Sequence, residues 1–221
     1  MSDATSFAGL RVVVSAGPTW EDIDPVRFIG NRSSGKTGFA IAAAAARRGA
    51  DTVLVAGPVS LASPHGVDRR DVRSAAQMHA AVLGALPADV YIGAAAVADF
   101  TPATVAGDKI KKQPGSDGLV LALVRTADIL AEVASHAPRP RIVVGFAAET
   151  SDLEANARDK LRRKRVDMIA ANRVGVAGSG FEADDNTLHV FSADGRVQVL
   201  GPGPKTGLAE ALLDLVAARL A

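Results

Sequence analysis

Apolar runs and mixed polar stretches alternate regularly along this chain. Val12-Val13-Val14 is β-branched and uninterrupted up to Ala16-Gly17-Pro18-Thr19, as expected of a strand buried on both faces. The alanine-rich run after Phe39 predicts a helix from about Lys36 to Arg48, closed by Gly49. Thr52–Ala56 is a second strand, closed by Gly57-Pro58. These elements make a βαβ unit with a right-handed crossover. The same alternation predicts a helix over Ser74–Leu86, with Ser74 as its cap, and a strand over Asp89–Ala98. Further on it predicts a helix over Ala127–Ser135, a strand over Arg141–Ala148, a charged helix over Asp152–Arg165 and a strand over Asp167–Ala171. Thr187–Phe191 and Arg196–Leu200 read as a hairpin, and Pro204–Leu220 as a closing helix. Thr19–Ile29 reads as a long irregular connection, and Gly107–Gly118 as a basic, glycine-rich flap. Leu119–Val124 is a candidate strand outside the main sheet. The predicted class is α/β: a Rossmann-like, doubly wound, mostly parallel sheet with a hairpin or flap excursion near residues 100–125.

Composition narrows the function classes. The chain has 221 residues, with 25 basic against 24 acidic side chains, so charge gives no argument for nucleic acid or an anionic membrane as partner. It has no cysteine, which excludes disulfides, thiolate metal sites and thiol catalysis. No apolar run reaches membrane-spanning length. Met1–Ser6 lacks the charged leader and apolar core of a signal peptide. The expectation is a soluble cytoplasmic protein without nucleic-acid or membrane partners.

The strongest candidate chemistry lies in Gly30-Asn31-Arg32-Ser33-Ser34-Gly35-Lys36-Thr37-Gly38, which opens straight into the alanine-rich helix. A glycine-rich loop at a helix N-terminus offers backbone N–H groups and a positive dipole to an anion. The stretch satisfies the P-loop pattern G-x-x-x-x-G-K-[ST]. A P-loop also needs a central parallel strand running into its first glycine, and Asp22–Ile29, with Pro25 and three charges, fits one poorly. Asn31 can both donate and accept, which suits an amide or acyl oxygen. Asp99 follows small residues at a strand end, where it suits ribose, a hydrated metal or a simple cap. Lys109, Lys111 and Lys112 are either solvated or poised for polyphosphate. Lys160 and Lys164 share a helix face. His65, His79, His136 and His189 show no metal spacing and read as structural. No G-x-S-x-G elbow is present, and Pro18-Thr19-Trp20 breaks a G-x-G-x-x-G run after the first strand. The residues alone lead to a nucleotide- or phosphate-binding α/β protein with a lysine flap.

Several segments together resemble one family. Ala16-Gly17-Pro18-Thr19, Glu21–Arg27, Asn31–Lys36, Ala95–Asp99, Lys109–Lys112 and Gly145–Thr150, in this order, closely resemble phosphopantothenate–cysteine ligase, the bacterial phosphopantothenoylcysteine synthetase of coenzyme A biosynthesis. The resemblance runs from about Arg11 to the C-terminus, leaving residues 1–10 as a leader and 11–221 as the ligase domain. It implies a two-step reaction. The carboxylate of 4′-phosphopantothenate attacks the α-phosphorus of CTP and expels pyrophosphate, giving 4′-phosphopantothenoyl-CMP. The amino group of L-cysteine then displaces CMP. Bacterial relatives use CTP with Mg²⁺, held mainly by the triphosphate, with Asp99 the candidate protein ligand. Carried over by motif, Lys109 would stabilise the α-phosphate and Asn31 the acyl group. Gly93, Ala94, Ala95, Asp99, Lys109, Phe146, Lys160 and Lys164 fall where the family contacts CTP. Arg27, Asn31, Ser33, Ser34, Gly35 and Lys36 would bind substrate phosphate. Thr37 departs from the methionine common in relatives, and Arg125–Ile129 departs from their usual motif, so no contact is carried over there. The resemblance also implies a homodimer, with the 100–125 excursion as candidate interface. In many bacteria the ligase is fused to a flavin-dependent decarboxylase, so this chain reads as an excised domain or a free-standing ligase. The alternatives from the residues are a P-loop NTPase and a nucleotide-sensing domain without turnover.

Overall fold

Val12, Val13 and Val14 are fully buried, and the sheet is built outward from them. The computed structural model describes residues 6–112, 118–174 and 185–221. In chain order the elements are β1 (Arg11–Ala16), β2 (Trp20–Asp22), β3 (Phe28–Gly30), α1 (Lys36–Arg47), β4 (Asp51–Ala56), β5 (Val67–Asp71), α2 (Ala75–Leu83), β6 (Val90–Gly93) and β7 (Phe100–Pro102). There follow β8 (Leu123–Arg125), α3 (Ile129–Ser135), β9 (Ile142–Glu149), α4 (Leu153–Lys164), β10 (Met168–Arg173), β11 (Asp185–Ser192), β12 (Val197–Pro204) and α5 (Lys205–Leu220).

The main sheet runs β12-β11-β10-β9-β6-β1-β4-β5. It is parallel except where β11 pairs antiparallel with β10 and β12. The chain winds outward from β1 through β4 to β5, returns to the centre at β6, and winds the other way through β9 and β10. That reversal between β1 and β6 is a topological switch point, and open α/β sheets bind ligands there, beyond the C-terminal strand ends. The doubly wound, mostly parallel class expected from the sequence is the observed one.

Side chains alternate across a strand, so β1 feeds two cores. Val12 and Val14 share a cluster with Ile41 of α1 and Leu212 of α5. Val13 shares the opposite one with Met78 of α2 and Val133 of α3. Each fully buried Val, Leu or Ile contributes roughly 1.5–3 kcal/mol relative to exposure, so these two layers dominate stability. Part of the expected leader joins them. Phe7 is fully buried, and its amide donates to the Arg48 carbonyl at 3.1 Å. Arg48 in turn pairs with Glu210 and Asp214 at 2.7 and 2.8 Å, tying the end of α1 to α5.

Three segments differ from the sequence expectation. Thr19–Ile29 is not irregular: it holds the β2–β3 hairpin, with the Trp20 and Phe28 rings stacked at 4.2 Å beneath the Arg73 guanidinium. Its charges are used locally, Asp22 on Arg73 and Glu21 on the Ala75 amide at 2.8 Å. The edge strand β5 has the sequence VDRRD, whose Arg69–Asp71 and Arg70–Asp68 pairs replace an apolar pattern. The strand expected over Asp89–Ala98 ends at Gly93. Ala94 and Ala96 leave the sheet with their amides on the Ser15 and Gly17 carbonyls, at 3.0 and 2.9 Å. The excursion near residues 100–125 contains the small β7–β8 sheet. No helix among the described residues is long and apolar enough to cross a membrane.

Candidate active site

The anion loop lies at the switch point. Gly35 takes φ 75° just before α1, a conformation that favours glycine, and no side chain caps the helix. Gly38 lets the first turn of α1 press on β1, since a Cβ there would lie 2.4 Å from the Ala16 Cβ. Gly30 ends β3 of the small hairpin, not a central strand. The P-loop pattern is therefore present in the sequence without the strand that makes it a P-loop.

A cavity of about 330 Å³ opens over this loop. Asn31, Ser33, Ser34, Gly35 and Lys36 line one side of it, and Ala94, Ala95, Asp99 and Phe146 the other. A second cavity, of about 520 Å³, lies against α3 and α4, lined by Gly93, Lys160, Arg163 and Lys164 and by Arg125–Leu130. The two share Ala95, Val97, Asp99, Phe146 and Lys160 as a common wall. Of the residues that the family resemblance carried over as site residues, all but Arg27 and Lys109 border one cavity or both. Arg27 turns its guanidinium onto Asp24 and the Ile110 carbonyl. Lys109 is exposed beside them.

Asn31 is oriented by its neighbours. Its Nδ2 donates to the carbonyls of Ala96 and Val97 at 3.0 and 3.1 Å. Two carbonyls can be satisfied only by the NH₂ end, which fixes the amide and leaves Oδ1 as an acceptor. Lys160 Nζ donates to the Phe146 carbonyl at 2.7 Å. Burial pulls its pKa down, against the attraction of Glu149 and Asp99, and Arg163 adds to the lowering. Lys164 pairs with Asp128, which caps α3 through the Ala131 amide. Its pKa is also lowered by burial, with Asp99 opposing. On the floor of the larger cavity the Ser15 and Tyr91 hydroxyls meet at 3.0 Å, and burial pushes Tyr91 up to about 12.

The structure adds residues that sequence reasoning missed. Asn172, Asn186 and Lys205 border the smaller cavity, brought there by β10, β11 and the start of α5. Arg125–Asp128, where no contact was carried over, borders the larger one. Two of the histidines are tied into structure, His79 to Glu132 at 2.7 Å and His136 to the Pro138 carbonyl at 3.1 Å. Among the described residues, no group of three or more His, Cys, Asp or Glu side chains could hold a metal ion. Asp99 borders both cavities, and one carboxylate suits a cation that takes most of its ligands from phosphate oxygens and water.

A family model described as the DNA/pantothenate metabolism flavoprotein C-terminal domain matches residues 7–220. The coenzyme A biosynthesis bifunctional protein CoaBC of Vibrio cholerae is 50% identical over 211 residues, which is 95% of this chain and 53% of that protein. CoaBC of Escherichia coli K12 is 50% identical over 99% of this chain and 54% of its own length. The chain thus spans about half the length of the curated relatives it matches. Its fold is similar to the crystal structure of the C-terminal domain of CoaBC, with TM-score 0.83, 37% identity and 98% of each chain covered. A Cab2 mutant in complex with phosphopantothenate-cysteine aligns at TM-score 0.78 over 97% of this chain and 86% of that one; at 16% identity it shows the shared fold alone.

Proposed function

The chain belongs to the DNA/pantothenate metabolism flavoprotein C-terminal domain family, and from that premise we propose that it is a phosphopantothenate–cysteine ligase of coenzyme A biosynthesis using CTP. The observation that carries the reading is the pair of adjoining cavities with one shared wall. A reaction between two anions needs two such sites, each with cationic or N–H donors, meeting where the bond forms.

The smaller cavity has a helix N-terminus, Ser33, Ser34 and Lys36 for phosphate oxygens. The larger has Lys160 and Lys164 at one edge and the small residues Gly93 and Ala95 at another, which lets a nucleotide approach the backbone. In the first step the acid's carboxylate oxygen bonds to the α-phosphorus and pyrophosphate leaves. Lys109 would meet the charge that develops there. In the second step the cysteine nitrogen bonds to the acyl carbon, loses a proton, and CMP leaves. Asn31 would steady this step in a way that differs from the motif's implied hold on the acyl group: with Nδ2 kept by the Ala96 and Val97 carbonyls, only the acceptor Oδ1 is left, and it would take an N–H of the incoming amine. Mg²⁺, when bound, would neutralise phosphate charge from the triphosphate oxygens, with Asp99 as its protein contact. Arg27 keeps its assignment to the substrate phosphate on motif alone.

The reading extends to partners. Phe100, Val120, Leu123 and Val124 are 47%, 95%, 44% and 47% exposed on and beside the β7–β8 arm, which suits a homodimer interface. The half of the relatives' length that this chain does not span would carry the decarboxylase. A cytoplasmic setting follows from the substrates.

The test is pyrophosphate release with Mg²⁺, 4′-phosphopantothenate and L-cysteine, run with CTP and with ATP and with each component omitted. Release that requires the acid and prefers CTP is expected. Orthophosphate released without the acid would overturn the reading in favour of a nucleotide hydrolase. CTP binding without any turnover would overturn it in favour of a sensing domain.

A further inference from the structure

The segment that carries Lys109 is tied down on both sides of that lysine. The Ala106 amide donates to the Ile23 carbonyl at 3.0 Å. The Ile110 amide donates to Asp24 Oδ2 at 3.1 Å, and the Ile110 carbonyl accepts from Arg27 Nη2 at 2.9 Å. Only Gly107, Asp108 and Lys109 lie between the two anchors. The flap expected from composition is therefore fixed at its leading end.

One carboxylate organises the second anchor. Asp24 is only 1% exposed. Its Oδ1 accepts from the amides of Val26 and Arg27 at 2.9 and 2.8 Å. Its Oδ2 accepts from Arg27 Nε at 3.0 Å, from Arg27 Nη2 and from Ile110. The Arg27 guanidinium, with the backbone N–H donors, holds this carboxyl well below the usual carboxylate range, against the opposing effect of burial. It is therefore ionised at any working pH, when charge-assisted bonds are strongest. An aspartate that only shaped its own turn would need Oδ1 alone. Oδ2 reaches a residue 86 positions away, and the bond it makes there is to the backbone next to Lys109.

We propose that Asp24 is a positioning residue for the first step: its grip on Ile110 fixes the point from which Lys109 reaches the α-phosphate. The proposal rests on the ligase reading, and Asp24 itself touches no substrate. Asp24 thus acts on the chemistry through the flap rather than from the cavity.

Asp24→Asn tests it. Asn keeps an acceptor for the Val26 and Arg27 amides but turns an NH₂ toward Arg27 and the Ile110 amide, so the turn survives and the flap anchor is lost. Formation of acyl-cytidylate should fall at least tenfold. Aminolysis of chemically prepared 4′-phosphopantothenoyl-CMP by L-cysteine should change less than twofold, and hydrogen exchange at the Ile110 amide should accelerate. Equal loss of both steps means a structural role only and overturns the proposal, as does an unchanged first step. If Asp24→Asn does not fold, Ile110→Pro removes the donated N–H directly and should give the same loss confined to the first step. A wild-type protein that releases no pyrophosphate defeats the ligase reading instead. The anchor is then decided by exchange at Ile110 alone, where no difference between wild type and variant overturns it.

Discussion

Asn31 shows how a single amide can serve two purposes. Its donors hold the Ala96–Val97 backbone against the anion loop, at 3.0 and 3.1 Å. Its acceptor is left for a ligand. In Asn31→Asp a carboxylate would face two carbonyl oxygens and would stand beside the acyl phosphate. The lost anchor corresponds to about 1–3 kcal/mol, so aminolysis should slow by about fivefold to 150-fold. Acyl-cytidylate should accumulate in quenched mixtures read by mass spectrometry. Equal slowing of both steps would count against the assignment. Lys160 makes a second prediction at this scale. Its pKa is lowered chiefly by burial from the ordinary lysine value of 10.5, so the unfolded chain binds the proton more tightly than the folded one. Where the unfolded state holds more protons, stability rises with pH. Below the lowered value both states are protonated and the burial penalty is full; above 10.5 neither is, and the penalty is gone. Wild type should therefore gain stability relative to Lys160→Gln as pH rises toward 10.5, measured by urea denaturation. A constant difference between the two would show that Lys160 titrates normally. CTP affinity should fall over the same window, because the charge that attracts phosphate is being lost.

Among the elements, α1 is the one whose placement the site depends on. Gly38 sits in its first turn, and a Cβ there would lie 2.4 Å from the Ala16 Cβ. Gly38→Ala must push the helix N-terminus off β1 and with it the loop from Ser33 to Lys36. The expected cost is roughly 1–3 kcal/mol of stability together with at least tenfold weaker binding of phosphopantothenate, read by calorimetry. Unchanged binding would mean that α1 does not carry the anion. This element was legible in the sequence because glycine, serine and lysine precede an alanine-rich run, and so were β1, β4 and β9 because their apolar positions are continuous. The β2–β3 hairpin and β5 were not. Their strands are held by charges paired with one another and by the Trp20–Phe28 stack, so no apolar period marks them. The site divides the same way. Asn31–Lys36 and Gly93–Asp99 are contiguous stretches whose chemistry is local. Asn172, Asn186 and Lys205 reach the cavity only because β10, β11 and the start of α5 come together beside the loop that opens α1, and no spacing along the chain reports that.

At the scale of the whole molecule, the doubly wound sheet leaves its C-terminal strand ends to the site, and two small two-stranded arms, β2–β3 and β7–β8, stand outside that sheet. The arms carry apolar side chains that the described residues leave partly exposed: Phe28 is 42% exposed, Phe100 47% and Val124 47%. An isolated two-stranded ribbon is marginally stable in water, and exposed apolar groups clustered on such ribbons mark a surface that another molecule covers. The proposed homodimer accounts for both features at once. It also places a constraint on the flap, because Asp24 and Arg27 of the β2–β3 turn hold Ile110, which follows β7 in the chain. Val124→Asp should therefore separate the protomers while leaving the fold of each in place, since an exposed substitution changes stability by about 0.5 kcal/mol or less. Sedimentation velocity at micromolar concentration should show a dimer for wild type and a monomer for the variant, with unchanged far-UV circular dichroism. If assembly steadies the arms, the variant should also lose pyrophosphate release at low protein concentration and regain part of it as concentration rises. A wild-type monomer, or a variant that still sediments as a dimer, would move the interface away from this arm.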